Sequence, residues 1–104
     1  MKEVDKDTFE KEVLKAKKII LVDVWGPNCH NCLALMSAVE ELAKKYSKKL
    51  KVVKMNVVGN RVFLMGLKVM GLPTIIFYKK GREVKRLTGI ITKEILEKAV
   101  EELI

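Results

Sequence analysis

The run Ile19–Trp25 constrains the chain more than any other feature. Its residues are apolar except for Asp23, and Gly26-Pro27-Asn28 ends it abruptly. A strand with one wet face alternates apolar and polar residues; a run without alternation needs cover on both faces. Helical layers above and below the sheet are therefore required. Asp23 is the exception inside that run, and its carboxylate is expected to lie among apolar side chains.

The remaining elements are read against that strand. Residues 2–4 suit a short edge strand. Asp7-Thr8-Phe9-Glu10 has the spacing of a capping box, which opens a helix carrying Phe9, Val13 and Leu14 on one face. After the Gly-Pro break, a helix is expected from Cys29 to Tyr46, its stripe formed by Leu35, Met36, Val39, Leu42, Ala43 and Tyr46. Lys51–Val57 reads as a second central strand and residues 59–68 as a short helix weakened by Gly59 and Gly66. Gly71-Leu72-Pro73 turns the chain into a third strand, Thr74–Tyr78. Lys79-Lys80-Gly81-Arg82 fits a hairpin turn before an edge strand, Glu83–Thr88. Thr92 is placed to cap a last helix with Ile95, Leu96, Ala99, Val100 and Leu103 turned inward. Strands alternating with helices predict parallel pairing in the first part, and the closing hairpin predicts an antiparallel edge. The expected fold class is α/β, a three-layer α/β/α sandwich with a mixed central sheet.

The chain has 104 residues and 49% hydrophobic side chains. That is enough for one domain, residues 1–104, to fold around its own core without a covalent staple. The first 18 residues are dense in charge and lack the apolar stretch of a secretory signal. No apolar run approaches the ~20 residues that span a bilayer, so no membrane association is expected. A cytosolic setting follows, where a close cysteine pair is catalytic or metal-binding rather than structural. The net charge of +8 invites a nucleic-acid reading. The excess is almost all lysine spread along the chain, with Arg61, Arg82 and Arg86 the only arginines, so no nucleic-acid partner is expected. The surplus charge can still steer acidic partner proteins. Absence of glutamine and the dominance of lysine and glutamate match thermophile composition.

The chemistry sits in Cys29-His30-Asn31-Cys32. A C-x-x-C pair beside a strand–helix–strand pattern reads as a redox dithiol. Free backbone N–H groups and the dipole at a helix start favour an anion, so Cys29 there has a lowered pKa, and the thiolate is the nucleophile. Cys32 lies one turn on, on the same side, within reach to resolve a mixed disulfide. Two other readings compete. Cys29, His30 and Cys32 are all zinc ligands, but a tetrahedral site needs about four and no further cysteine or histidine exists, which leaves only a dimer-bridging form and no metal as the expectation. The other is two cysteines filling a core.

The segment Val22-Asp23-Val24-Trp25-Gly26-Pro27-Asn28-Cys29-His30-Asn31-Cys32 resembles the active-site strand and helix of the thioredoxin family. Gly71-Leu72-Pro73-Thr74 is similar to the family's cis-proline loop, and Lys54, Gly81 and Gly89 fall where thioredoxins carry such residues. The resemblance spans essentially the whole chain and implies a thioredoxin-like sandwich. It implies that Asp23 is the buried carboxylate beneath the dithiol, relaying a proton for Cys32, with Lys54 tuning it from across the sheet. It implies a cis Pro73 facing the sulfurs, a Leu72 backbone that pairs with an extended substrate, a shielding Trp25, and Thr88 and Gly89 completing the rim. The sequence also departs from the family. Asn28 stands where an aromatic Trp is usual, His30-Asn31 replaces Gly-Pro, and Val58 stands where an acid is common. A protonated His30 beside the Cys29 thiolate would make the couple more oxidising than the roughly −270 mV of thioredoxin.

The leading function is thus a thiol–disulfide oxidoreductase acting on disulfide-containing proteins. The chain lacks a glycine-rich nucleotide fingerprint, so no cofactor is expected, and a separate thioredoxin-reductase-type donor must regenerate it. It is expected to act as a monomer. Two other jobs fit the same fold: a dedicated electron carrier or disulfide oxidant for one enzyme system, and a non-catalytic binding module.

Overall fold

The computed structural model describes residues 1–104. Five strands form one sheet: β1 (Lys2–Val4), β2 (Ile19–Trp25), β3 (Leu50–Asn56), β4 (Thr74–Lys79) and β5 (Arg82–Thr88), in the spatial order β1-β3-β2-β4-β5. Helices α1 (His30–Lys45), α2 (Arg61–Gly66) and α3 (Lys93–Leu103) and a single π-helical turn at Glu10–Leu14 complete the chain. The fold is the mixed α/β/α sandwich expected from β2.

Burial of β2 on both sides divides the core in two. Val22 and Val24 face the π turn and α2, together with Phe9, Val13, Val53, Met55 and Leu64. Leu21 faces α1 and α3, with Leu35, Val39, Phe77, Leu96 and Val100. Phe9 anchors the first layer by meeting Phe63 and Tyr78 edge-on, with ring centroids 5.0 and 5.5 Å apart. No helix is long and apolar enough to cross a membrane.

Several local expectations are corrected. The alternating pattern predicted parallel strands up to β4, but β4 runs antiparallel to β2, with Val24 opposite Thr74. The six residues of α2 rise about 9 Å and do not run the length of a strand of about 20 Å as a crossover helix would. The chain re-enters the sheet at the end where β3 left it. The capping box forms earlier than Asp7–Glu10. Asp5 accepts hydrogen bonds from the Asp7 and Thr8 N–H groups, and Thr8 Oγ1 accepts one from the Asp5 N–H at 3.0 Å. The turn that follows closes with an i to i+5 bond from Lys15 N–H to Glu10 carbonyl. Thr92 caps α3 through Ile95 N–H as read, but Ile95 itself is 43% exposed. Leu96, beside it, is buried as expected.

Candidate active site

The short α2 decides where the site lies. Because β4 starts where β2 and β3 end, three loops converge at one end of the central strands: Gly26–Asn28, Val57–Asn60 and Gly71–Pro73. Gly26 is buried between the other two, and a Cβ there would stand 3.0 Å from Val57 and 3.1 Å from Leu72. Only glycine lets these loops close over the end of β2 without displacing a neighbour.

Cys29 is the N-cap of α1, in extended conformation, and Cys32 lies in the first turn. A disulfide joins them, with Cα atoms 5.2 Å apart. The Cys32 backbone N–H donates to Cys29 Sγ at 3.1 Å. That donor is one of the unpaired N–H groups of a helix start, and it favours negative charge on this sulfur once the bond is reduced. Cys32 is buried and Cys29 is half-buried. Of the two sulfurs, Cys29's is the one a partner can reach.

Asp23 lies fully buried in β2, and neither carboxylate oxygen has a protein hydrogen-bond donor. Desolvation pushes its carboxyl up to about 7, against the pull of the Lys54 ammonium. Lys54 stands opposite Asp23 in the β2–β3 register and is half-buried, its Nζ lying 5.5 Å from the centre of the Trp25 ring. The Trp25 indole N–H reaches Glu3 Oε2 at 3.4 Å. Glu3 is in register with Lys54 on the edge strand. One line of residues, Glu3, Lys54 and Asp23, therefore crosses three strands.

Around the sulfurs the surface forms two grooves. Asn28, Cys29 and Leu72 line one of about 220 Å³, together with Val58 and Arg61. Pro73, Gly89 and Asn31 line another, together with Ile90. The Leu72–Pro73 peptide is cis and Pro73 is buried. Gly89 has φ +81°, a left-handed conformation that suits glycine. Thr88 is exposed and pairs with Thr74 at the start of the hairpin, outside both grooves. His30 is exposed on the first turn of α1. Trp25 and Lys54 line neither groove; they lie on the side of Glu3.

Three participants escaped sequence reading. Asn31 carries no signal beyond its place between the two cysteines. Glu3 carried no signal in a charged terminus. Ile90 lies between the last strand and the last helix, where no pattern marks it, and is 86% exposed beside Gly89.

Comparison with known proteins agrees with this geometry. The thioredoxin family model matches residues 1–102. A thioredoxin from Acetoanaerobium sticklandii is 42% identical over 88 residues, covering 85% of this chain and 84% of that protein. One from Peptoclostridium acidaminophilum is 45% identical over 86 residues, covering 83% and 78%. Thioredoxin 1 of a Nostoc species is 33% identical over 99 residues, covering 95% and 92%.

Proposed function

We propose, because this chain belongs to the thioredoxin family and is a thiol–disulfide oxidoreductase, that it reduces disulfides of other proteins in the cytoplasm as a monomer. The observation that carries the reading is the pairing of an accessible sulfur at a helix N-cap with a buried one a turn later, joined in a disulfide.

The reaction runs in two steps from the reduced protein. The Cys29 thiolate attacks one sulfur of a partner disulfide. That S–S bond breaks, and the departing thiolate takes a proton from solvent. Cys32 then gives its proton to Asp23, whose raised pKa suits it to exchange protons near neutral pH. The Cys32 thiolate attacks Cys29 Sγ, the mixed disulfide breaks, and the partner's second sulfur leaves as thiolate. Two electrons have passed to the partner, and the protein is left with its Cys29–Cys32 bond. A separate reductase of the thioredoxin-reductase type returns the electrons. Leu72 and Pro73 present backbone on which an extended partner segment pairs as an added strand.

A second reading, a dedicated electron carrier for one enzyme system, draws on the exposed Asn28. A small polar side chain there leaves the groove without an aromatic platform for varied partners. Substituting Cys32→Ala separates the two, because resolution is blocked and Cys29 stays bound to whatever it attacks. The proposal expects many trapped proteins. A single trapped partner favours the dedicated carrier, and none contradicts both.

A further inference from the structure

Between Glu41 and Glu83 the sequence contains no aspartate or glutamate. This acid-free stretch includes β3, α2 and the loop to Pro73. Within it, α2 uses Leu64 and Phe63 to reach the core, and leaves Val62 84% and Met65 71% exposed. Met70, on the loop that follows, is 93% exposed. Of these, Met65 and Met70 line one groove together, and apolar side chains gathered rather than scattered mark a surface that another molecule covers.

That face is continuous with the dithiol. The groove at Cys29 shares Val57, Arg61 and Leu72 with a second groove of about 290 Å³, which continues along Met65, Val69 and Met70. Together they form one trough from the attacking sulfur to the flank of α2. Its only charged lining residue is Arg61. No carboxylate lines either groove.

We propose that this trough is the docking surface for an acidic, apolar-anchored segment of the partner protein that carries the disulfide, seated with its apolar residue on Met65 and Met70 and a carboxylate beside Arg61. The inference rests on the thiol–disulfide reading above and specifies the partner that reading leaves open. Methionine is unbranched and polarizable, so it adapts to apolar side chains of different shape. An acid-free rim on a chain of net charge +8 raises the encounter rate of an anionic segment and repels a cationic one. The same charge argues against a second copy as the occupant, since a two-fold contact through this trough sets like-charged surfaces against each other.

The test uses two synthetic peptides with the same disulfide and the same leucine beside it, one flanked by glutamates and the other by lysines. The reduced protein is also given hydroxyethyl disulfide, a neutral small molecule that reports on the dithiol alone. At low salt the glutamate peptide should be reduced about tenfold faster than the lysine peptide. The ratio should fall toward one in about 1 M salt, where the screening length is about 3 Å, and in Arg61→Gln. Met65→Ser combined with Met70→Ser, both at exposed positions, should slow the glutamate peptide about tenfold through lost apolar contact. Equal rates on both peptides, with hydroxyethyl disulfide still reduced, overturn the docking surface and leave the dithiol chemistry standing. Failure on hydroxyethyl disulfide as well overturns the thiol–disulfide reading and this inference with it. A dimer in sedimentation that the two serine substitutions dissociate also overturns it, because the seat then belongs to a second copy.

Discussion

Asp23 is the residue whose physics reaches furthest. An ordinary aspartate titrates near 3.8, and burial holds this one near 7. Between those values the folded protein keeps a proton that the unfolded chain has lost. The stabilising contribution is therefore complete below about pH 4 and is lost as pH rises through 7. Asp23→Asn removes the charge and hence that loss. The stability gain of the variant over wild type should grow from near zero at low pH to about 4 kcal/mol above pH 8, measured by denaturant titration across the range. The same substitution should slow resolution of the mixed disulfide at least about tenfold near pH 7, read by stopped-flow. Solvent can still take the Cys32 proton, so the loss should fall below the ~10²–10⁴ common for a general base. A constant stability difference across pH would contradict a buried, titrating carboxylate. This residue was legible because a lone acid in an apolar run is conspicuous. Glu3 was not, because one carboxylate among many near the N-terminus shows its role only when β1 pairs with β3 and brings it to Trp25.

At the scale of elements, the organisation of the site follows from a short helix and a glycine. The strands were readable from their apolar runs and the long helix from its stripe. The direction of β4 was not, because the connection 57–73 is long enough for either polarity, and the signals at Gly59 and Gly66 do not show that its helix is too short to serve as a crossover. The capping box was misplaced by two residues because Asp5, Asp7 and Thr8 are all competent caps; the Asp5 position wins as Val4 and Phe9 are both drawn into the core. Gly26 holds the converging loops together, and its signal in the sequence was only that of a strand breaker. Gly26→Ala should force Val57 and Leu72 to give way and cost about 1–3 kcal/mol. It should also slow reduction of a protein disulfide, since Leu72 leads directly into Pro73. Unchanged stability on thermal unfolding would mean that the loops yield freely and that the glycine is there for its turn alone.

The whole molecule places an oxidisable pair at the end of a sheet that buries a neutral-range carboxylate in its central strand, with an acid-free apolar trough beside the pair. The pair and its place at a helix start were readable from spacing. The trough was not, since it depends on Val57, Arg61 and Leu72, from two separate segments, joining the groove at Cys29 to the one at Met70. These parts serve one claim, that the Cys29 sulfur attacks disulfides of other proteins. Dithiothreitol-driven reduction of insulin, followed by turbidity for wild type and Cys29→Ser side by side, tests it most directly. The account predicts rapid precipitation with wild type and a variant no faster than dithiothreitol alone. A wild type that matches its variant would contradict it.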